Sequence, residues 1–181
     1  MVTLLEARTA YFEANGFGED GGYSKPTVTV YLFGLPVSFP NTESRKRAVV
    51  FHDMHHVLTG YATNNLGEAE IGAWELGSGC RDYYAAWVLN TTGLLLGLFK
   101  NPARVFRAFV RGRQTKNLYG RDSEALLGTE LETVRAQMGL DAPLRPASLA
   151  DAVSFAFFAS IALLVASVPL LLVAWLFVSF S

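Results

Sequence analysis

The feature that most constrains this chain is a long C-terminal run, from Ala152 to Ser181, without a single charged residue. As a helix it would be about 45 Å long, more than the roughly 30 Å hydrocarbon core of a bilayer. A core helix of this composition would have to be enclosed on every side, and the rest of the chain is too small to enclose it. We therefore expect residues 152–181 to be a transmembrane tail anchor.

The remaining chain has room for one domain with a proper core. Residues 141–151 contain Pro143 and Pro146, which forbid a continuous helix, and we interpret them as a linker after a domain at 1–140. Arg145 and other basic residues precede the apolar run and none follows it, so we expect the domain on the cytoplasmic face. The first six residues lack the basic start of a signal peptide.

Composition excludes several classes of protein. The net charge of -1 argues against a nucleic-acid-binding protein. Cys80 is the only cysteine, so the chain cannot form an internal disulfide, and we expect a buried free thiol. The hydrophobic fraction of 51% is high for a soluble protein, mainly because of the tail.

All three histidines of the chain, His52, His55 and His56, lie within five positions. On a helix, His52 and His56 share a face and Asp53 lies beside His56, while Glu68 follows in the first turn of the next predicted helix. Imidazoles and carboxylates that converge in this way are typical ligands of a divalent metal ion. The apolar flanks indicate a buried helix, in which unpartnered polar groups are costly. Spacing alone leaves Asp53 and His55 open as the third ligand, and a structural polar cluster remains the alternative.

The rest of the domain is predicted to be mainly α-helical. A helix is expected over residues 4–15, followed by a glycine-rich loop at 16–22 that lacks the strand–turn–helix context of a dinucleotide site. Apolar residues alternate with hydroxyl-bearing residues at 28–32 and again at 37–39. This alternation predicts a small β-hairpin that turns at Gly34-Leu35-Pro36. Asn41 or Thr42 then caps the histidine-bearing helix.

Three further segments are predicted to be helical. The uncharged run 83–99 is too short to cross a bilayer and indicates a buried helix or the wall of an apolar pocket. Residues 103–110 begin a basic amphipathic helix, which the tail leads us to place in the membrane interface rather than against the core. A last helix is expected from Ser123 through Met138.

The triplet Arg45-Lys46-Arg47 opens the histidine-bearing helix. These cations are either a solvated first turn or a contact for an acidic head group or carboxylate.

The segment His52-Asp53-Met54-His55-His56, followed after eleven residues by Glu68, resembles the signature of the coenzyme Q biosynthesis protein 4 family. Trp74 with Glu75 and the later segment TELETVRAQMGL are also similar to that family. The resemblance covers roughly residues 1–140, and the apolar tail departs from it.

The resemblance implies an all-helical protein that binds a zinc-type divalent ion and a polyprenyl lipid and decarboxylates a polyprenylated hydroxybenzoate. It implies His52, Asp53, His56 and Glu68 as the metal ligands and leaves His55 outside the set. Two histidines with carboxylates would also suit ferrous iron. Glu75 falls on the same helix face as Glu68, which makes it a candidate second carboxylate that orients a ligand or transfers a proton.

Two other functions stay open. A non-catalytic scaffold would hold a prenyl chain and other quinone-biosynthesis proteins, or a second copy of the chain, and its metal would serve structure. A phosphohydrolase with an adjacent His-Asp pair ranks third, because it needs a histidine well upstream and the chain has none.

Overall fold

The computed structural model describes residues 1–32 and 35–179, without the side chains of residues 30–32, 35 and 168–179. Over the described residues the protein has eight helices and one two-stranded antiparallel hairpin, which confirms the predicted mainly α-helical fold. The elements in chain order are α1 (Leu4–Asn15), β1 (Thr27–Leu32), β2 (Leu35–Pro40), α2 (Glu43–Thr59), α3 (Asn65–Ser78), α4 (Tyr84–Lys100), α5 (Pro102–Gln114), α6 (Ser123–Leu127), α7 (Leu131–Met138) and α8 (Leu149–Ser179).

Helix α3 is the centre of the domain and packs against α4 and α5, with the Trp74 side chain fully buried. A Cβ atom on Gly112 would lie 2.1 Å from the Trp74 carbonyl oxygen, and one on Gly77 would lie 2.3 Å from that of Phe109. Both distances are far inside van der Waals contact. The backbones of α3 and α5 therefore approach each other closely because each presents a glycine to the other.

The hairpin pairs Thr27 with Pro40 at one end and Leu32 with Leu35 at the other. Its existence was predicted, but Leu35 and Pro36 belong to β2 rather than to the turn. The third residue of the predicted turn, Gly34, lies outside the described residues.

The single helix predicted over 123–138 is instead two helices, α6 and α7. The backbone N–H of Leu4 donates to the Thr129 carbonyl, and that of Leu131 donates to the Val2 carbonyl, each at 2.9 Å. These bonds form an isolated bridge between Thr3 and Glu130. Pairing with the N-terminus thus interrupts the helix, and a local pattern cannot show such a distant partner.

Helix α4 is buried on one side only, since Tyr84 and Phe99 are 76% and 77% exposed, so it is not a fully buried helix. Its other predicted role, as the wall of an apolar pocket, stays a prediction. The predicted position of α5 in the membrane interface is wrong. The apolar side of α5, including Val105 and Phe109, is fully buried in the protein and is not free to enter a membrane interface. The arginine side of α5 also makes internal contacts, for example a two-point ion pair from Arg104 to Glu70 at 2.7–2.9 Å.

Helix α8 begins at Leu149, three residues before the predicted tail, and its first turns pack on the domain. Phe155 contacts Phe106 and Phe109 with ring centroids 5.1 and 5.4 Å apart, and Phe158 lies against Trp87 at 5.9 Å. Within the described chain, α8 is the one helix long and apolar enough to cross a membrane, over Leu149–Ser167.

The first turns of α8 pack on the domain, and we expect the later part of the helix to anchor the protein in the membrane. We expect a fragment of residues 1–163, which keeps the packed turns, to stay folded and to leave the membrane fraction. A fragment of residues 1–146 should lose about 3 kcal/mol or more of stability, because it uncovers the rings that Phe155 and Phe158 bury. Fractionation of expressing cells and thermal unfolding of both fragments measure these effects. Retention of the longer fragment in the membrane pellet would show that residues 164–181 are not needed for anchoring.

Candidate metal centre

The candidate metal centre lies between the middle of α2 and the first turn of α3. Thr42 caps the start of α2, and Gly60 ends it in a left-handed conformation with φ 75°. The Asn64 side chain then caps α3 by accepting from the backbone N–H groups of Leu66 and Gly67. This tight helix–turn–helix brings Glu68 back to the face of α2 that carries the histidines.

The structure brings His52, His56 and Glu68 together. One ligand atom from each lies within 4.8 Å of the others, which is the one such group of three among the described residues. The two Nε2 atoms are 3.2 Å apart, and each lies 3.3 Å from a Glu68 carboxylate oxygen. A group of histidine and glutamate side chains that can hold a metal ion is thus present, as predicted.

The Nδ1 atoms of His52 and His56, which point away from the group of three, already form hydrogen bonds. The Tyr61 carbonyl can only accept, so His56 Nδ1 must donate to it, at 2.9 Å. His52 Nδ1 donates to the Glu75 carboxylate at 3.1 Å. In the neutral imidazoles the two Nε2 atoms therefore carry lone pairs, which face each other and the Glu68 carboxylate. An inward lone pair with an outward N–H donated to a carbonyl or carboxylate is the usual environment of a metal-bound histidine.

The charges around the group also favour a cation. Burial alone would lower the pKa of His52, but the carboxylates of Glu75 and Glu68 raise it well above its usual value. Partial burial opposes ionisation of Glu68, yet the two imidazoles bring its pKa down to about 2. The surroundings therefore favour the protonated, positively charged form of His52 and the negatively charged form of Glu68. The same carboxylates would stabilise a bound cation. The donor set therefore fits a divalent ion such as zinc.

Asp53 lies outside this group of three. Its carboxylate accepts a hydrogen bond from the Tyr23 hydroxyl at 2.6 Å, and its side chain is largely buried. Burial raises its pKa, and the charges of His52 and His56 act in the opposite direction. Asp53 is thus near the histidines, and its role as a ligand stays a prediction.

His55 is committed to other contacts. The backbone N–H of Leu118 donates to its Nε2 at 2.9 Å, which fixes the proton on Nδ1, and Nδ1 donates to Glu75 at 2.7 Å. Burial lowers the pKa of His55, in keeping with a neutral ring. With both nitrogens occupied and the side chain fully buried, His55 has no lone pair left for an ion.

Glu75 is the hub of a buried hydrogen-bond network. Its side chain is 0% exposed, and its two oxygens accept from His52, His55, Asn90 at 2.5 Å and Tyr119 at 2.7 Å. Burial opposes its ionisation, but the two histidines hold its pKa well below the usual value. Glu75 therefore orients His52 through its ring nitrogen, which makes it a positioning residue.

Several residues around the centre were not predicted. Asn90 left a signal, because it is a polar residue inside an apolar helix. Tyr61 lies five residues after His56 but contributes a backbone carbonyl, which any residue type could supply. Tyr11, Tyr23 and Tyr119 left no signal, since they come from distant parts of the chain. Tyr11 stacks on the His56 ring with centroids 5.7 Å apart, and the buried thiol of Cys80, which was predicted, lies next to Asn90. The missed residues are Tyr11, Tyr23, Tyr61, Asn90 and Tyr119.

Comparison of the chain with protein-family models, curated proteins and solved structures found no match.

Proposed function

We propose that this protein is a membrane-anchored, metal-dependent decarboxylase of a polyprenylated hydroxybenzoate, as in the coenzyme Q biosynthesis protein 4 family that it resembles. The observation that supports the proposal most is the convergence of His52, His56 and Glu68. Hydrogen bonds from the two Nδ1 atoms to Glu75 and to the Tyr61 carbonyl set the tautomers of both imidazoles. Zinc is the first choice of ion.

His52, His56 and Glu68 would hold the ion, with Asp53 as the proposed fourth ligand. A bound divalent ion supplies Lewis acidity at a ring hydroxyl or carboxylate. In the proposed reaction, the ring carbon that bears the carboxyl group takes a proton from solvent. The bond to the carboxyl group breaks, its electron pair remains on the ring, and carbon dioxide leaves. Glu75 keeps the Nε2 lone pair of His52 directed at the centre throughout.

The surroundings of the centre support a lipid substrate. Gly93 in the middle of α4 packs against the first turn of α3, where a Cβ atom would lie 3.4 Å from the Glu68 carbonyl oxygen. The outer side of α4 at Tyr84, Val88 and Phe99 is apolar and exposed, and α8 packs beside this helix. A prenyl chain that leaves the centre along α4 would reach the bilayer that α8 crosses. We place the domain on the cytoplasmic side of a single-pass membrane protein.

The test supplies purified full-length protein with the prenylated acid and follows carbon dioxide release. We expect Glu68→Ala to lose nearly all turnover but little lipid affinity, because buried methylenes contribute about 0.8 kcal/mol each to binding. Glu124→Ala is the matched control, since this exposed glutamate also lies in the first turn of a helix.

Two outcomes would contradict the proposal. Release that survives Glu68→Ala would remove the metal group from the reaction. Equal lipid binding by wild type and variant, with release from neither, would favour the non-catalytic scaffold.

A further inference from the structure

A second feature lies beside the metal centre, in a cavity of about 410 Å³ between the glycine-rich loop, β1 and α2. Its wall includes Lys25, which lies between the glycine-rich loop and β1, and three α2 residues one turn apart, Arg45, Val49 and Asp53. The lining on α2 runs from Arg45 to Asp53, and Asp53 adjoins His52 in the chain. The proposed metal chemistry does not use Arg45 or Lys25.

Arg45 is held in place by Asn41. Its Nη1 donates to Asn41 Oδ1 at 2.9 Å, and the Asn41 amide in turn donates to the carbonyls of Tyr23 and Lys25 at 3.2 and 2.9 Å. Asn41 is 6% exposed, so this support is itself buried. The guanidinium also lies over the Phe39 ring at 5.9 Å. Arg45 is therefore oriented before any ligand arrives.

The donors of Arg45 are not all satisfied. Its Nε is buried and has no hydrogen-bond partner within the described part of the chain. A buried donor in a native protein normally has an acceptor. The two other cations of the triplet differ, since Lys46 pairs with Glu43 and Arg47 with Asp82. Of these three residues, Arg45 is the one that is half-buried, lines the cavity and has a donor without an acceptor.

The formal charges of the wall suit a monoanion. Lys25 and Arg45 carry two positive charges and Asp53 one negative charge, which leaves one positive charge to be balanced. A planar carboxylate matches the fork of a guanidinium. Arg45 precedes His52 by seven residues, about 10 Å along the helix axis. A separation of seven residues is about two helical turns, so Arg45 and His52 lie on the same face of α2.

We propose that Arg45 binds the carboxylate of an aromatic acid whose opposite end faces His52, His56 and Glu68. This rests on the proposed function for the identity of the acid, and it adds the group that sets the orientation of the ring. Lys25 contributes a second positive charge to the cavity wall. Arg45 would thus make the site bind an aromatic acid more tightly than a neutral phenol.

The experiment measures binding rather than turnover. Full-length protein in detergent is titrated calorimetrically with 4-hydroxybenzoate, with phenol and with inorganic phosphate. We expect Arg45→Gln to bind 4-hydroxybenzoate about tenfold to a hundredfold more weakly, because a hydrogen-bonded charge is lost. Arg45→Lys should recover part of the loss. Arg47→Gln makes the same charge change two residues away, at a side chain that does not line the cavity, and should leave binding unchanged. Thermal unfolding confirms that each variant is folded.

Several results would overturn the inference: no binding of 4-hydroxybenzoate by the wild type, equal binding by Arg45→Gln, an equal loss in Arg47→Gln, or phosphate bound as tightly as the acid. Phenol bound as tightly as 4-hydroxybenzoate by the wild type would overturn it as well. If binding depends on Arg45 but the prenylated acid releases no carbon dioxide, the proposed decarboxylase function is contradicted. The proposed carboxylate-binding role of Arg45 is then still supported.

Discussion

Replacing His56 with alanine will remove the divalent ion from the purified protein. We expect elemental analysis to find about one ion per wild-type chain and almost none in His56→Ala. The reason is that the His56 side chain is only 1% exposed and its Nε2 faces the other two members of the group, while the Tyr61 carbonyl sets its tautomer. Loss of the outer partner of a ligand already costs about tenfold to a hundredfold in affinity, so loss of the ligand itself should cost more.

His55→Gln is the matched control for that experiment. Glutamine keeps a donor for Glu75 and an acceptor for the Leu118 N–H, so the variant should remain folded and keep its ion. A full complement of metal in His56→Ala would refute the assignment, and loss in His55→Gln alone would exchange the roles of the two histidines. Asp53→Asn, measured in the same series, decides whether Asp53 is the fourth ligand.

Substitution of Glu75 should have the largest effect on stability. In Glu75→Gln one carboxylate oxygen becomes an NH₂ group, which then faces donors such as Asn90 and Tyr119 instead of accepting from them. Removing one partner of a fully buried charged cluster costs about 3–5 kcal/mol. For a chain of this size we expect a fall in melting temperature of about 10 °C, measured by thermal unfolding in detergent. Metal affinity should fall about tenfold to a hundredfold, because His52 loses the partner that orients it.

Glu132→Gln serves as the control for this second prediction. Its carboxylate is 69% exposed and lies 3.4 Å from Arg135, so its removal should cost no more than about 1 kcal/mol. If Glu75→Gln were as mild as Glu132→Gln, the buried network would not stabilise the fold. If it destabilised the protein but left metal affinity unchanged, Glu75 would not position His52.

Much of the metal centre could be predicted because its geometry is local. His52 and His56 share a helix face by their spacing, and Gly60 and Asn64 mark the end of one helix and the start of the next through hydrogen bonds within a few residues. Glu68 then falls opposite the histidines. The same applies to α1, whose Thr3 cap pairs with Glu6 within the first turn.

The choice between Asp53 and His55 could not be made from spacing, because distant groups decide what each side chain contacts. Leu118 lies 63 residues from His55 in the chain, and Tyr23 lies 30 residues from Asp53. The break between α6 and α7 has the same origin, because Glu130 forms a bridge with the distant Thr3 there.

What the sequence by itself determined are the features set by short-range forces: the helices and their caps, the shared face of His52 and His56, and the uncharged tail. Tertiary structure alone decided which nitrogens carry protons, which side of α5 is buried, and how Arg45 comes to line a cavity beside the metal group. The physical reason is that these depend on packing and on hydrogen bonds between residues far apart in the chain, whose partners no local pattern identifies.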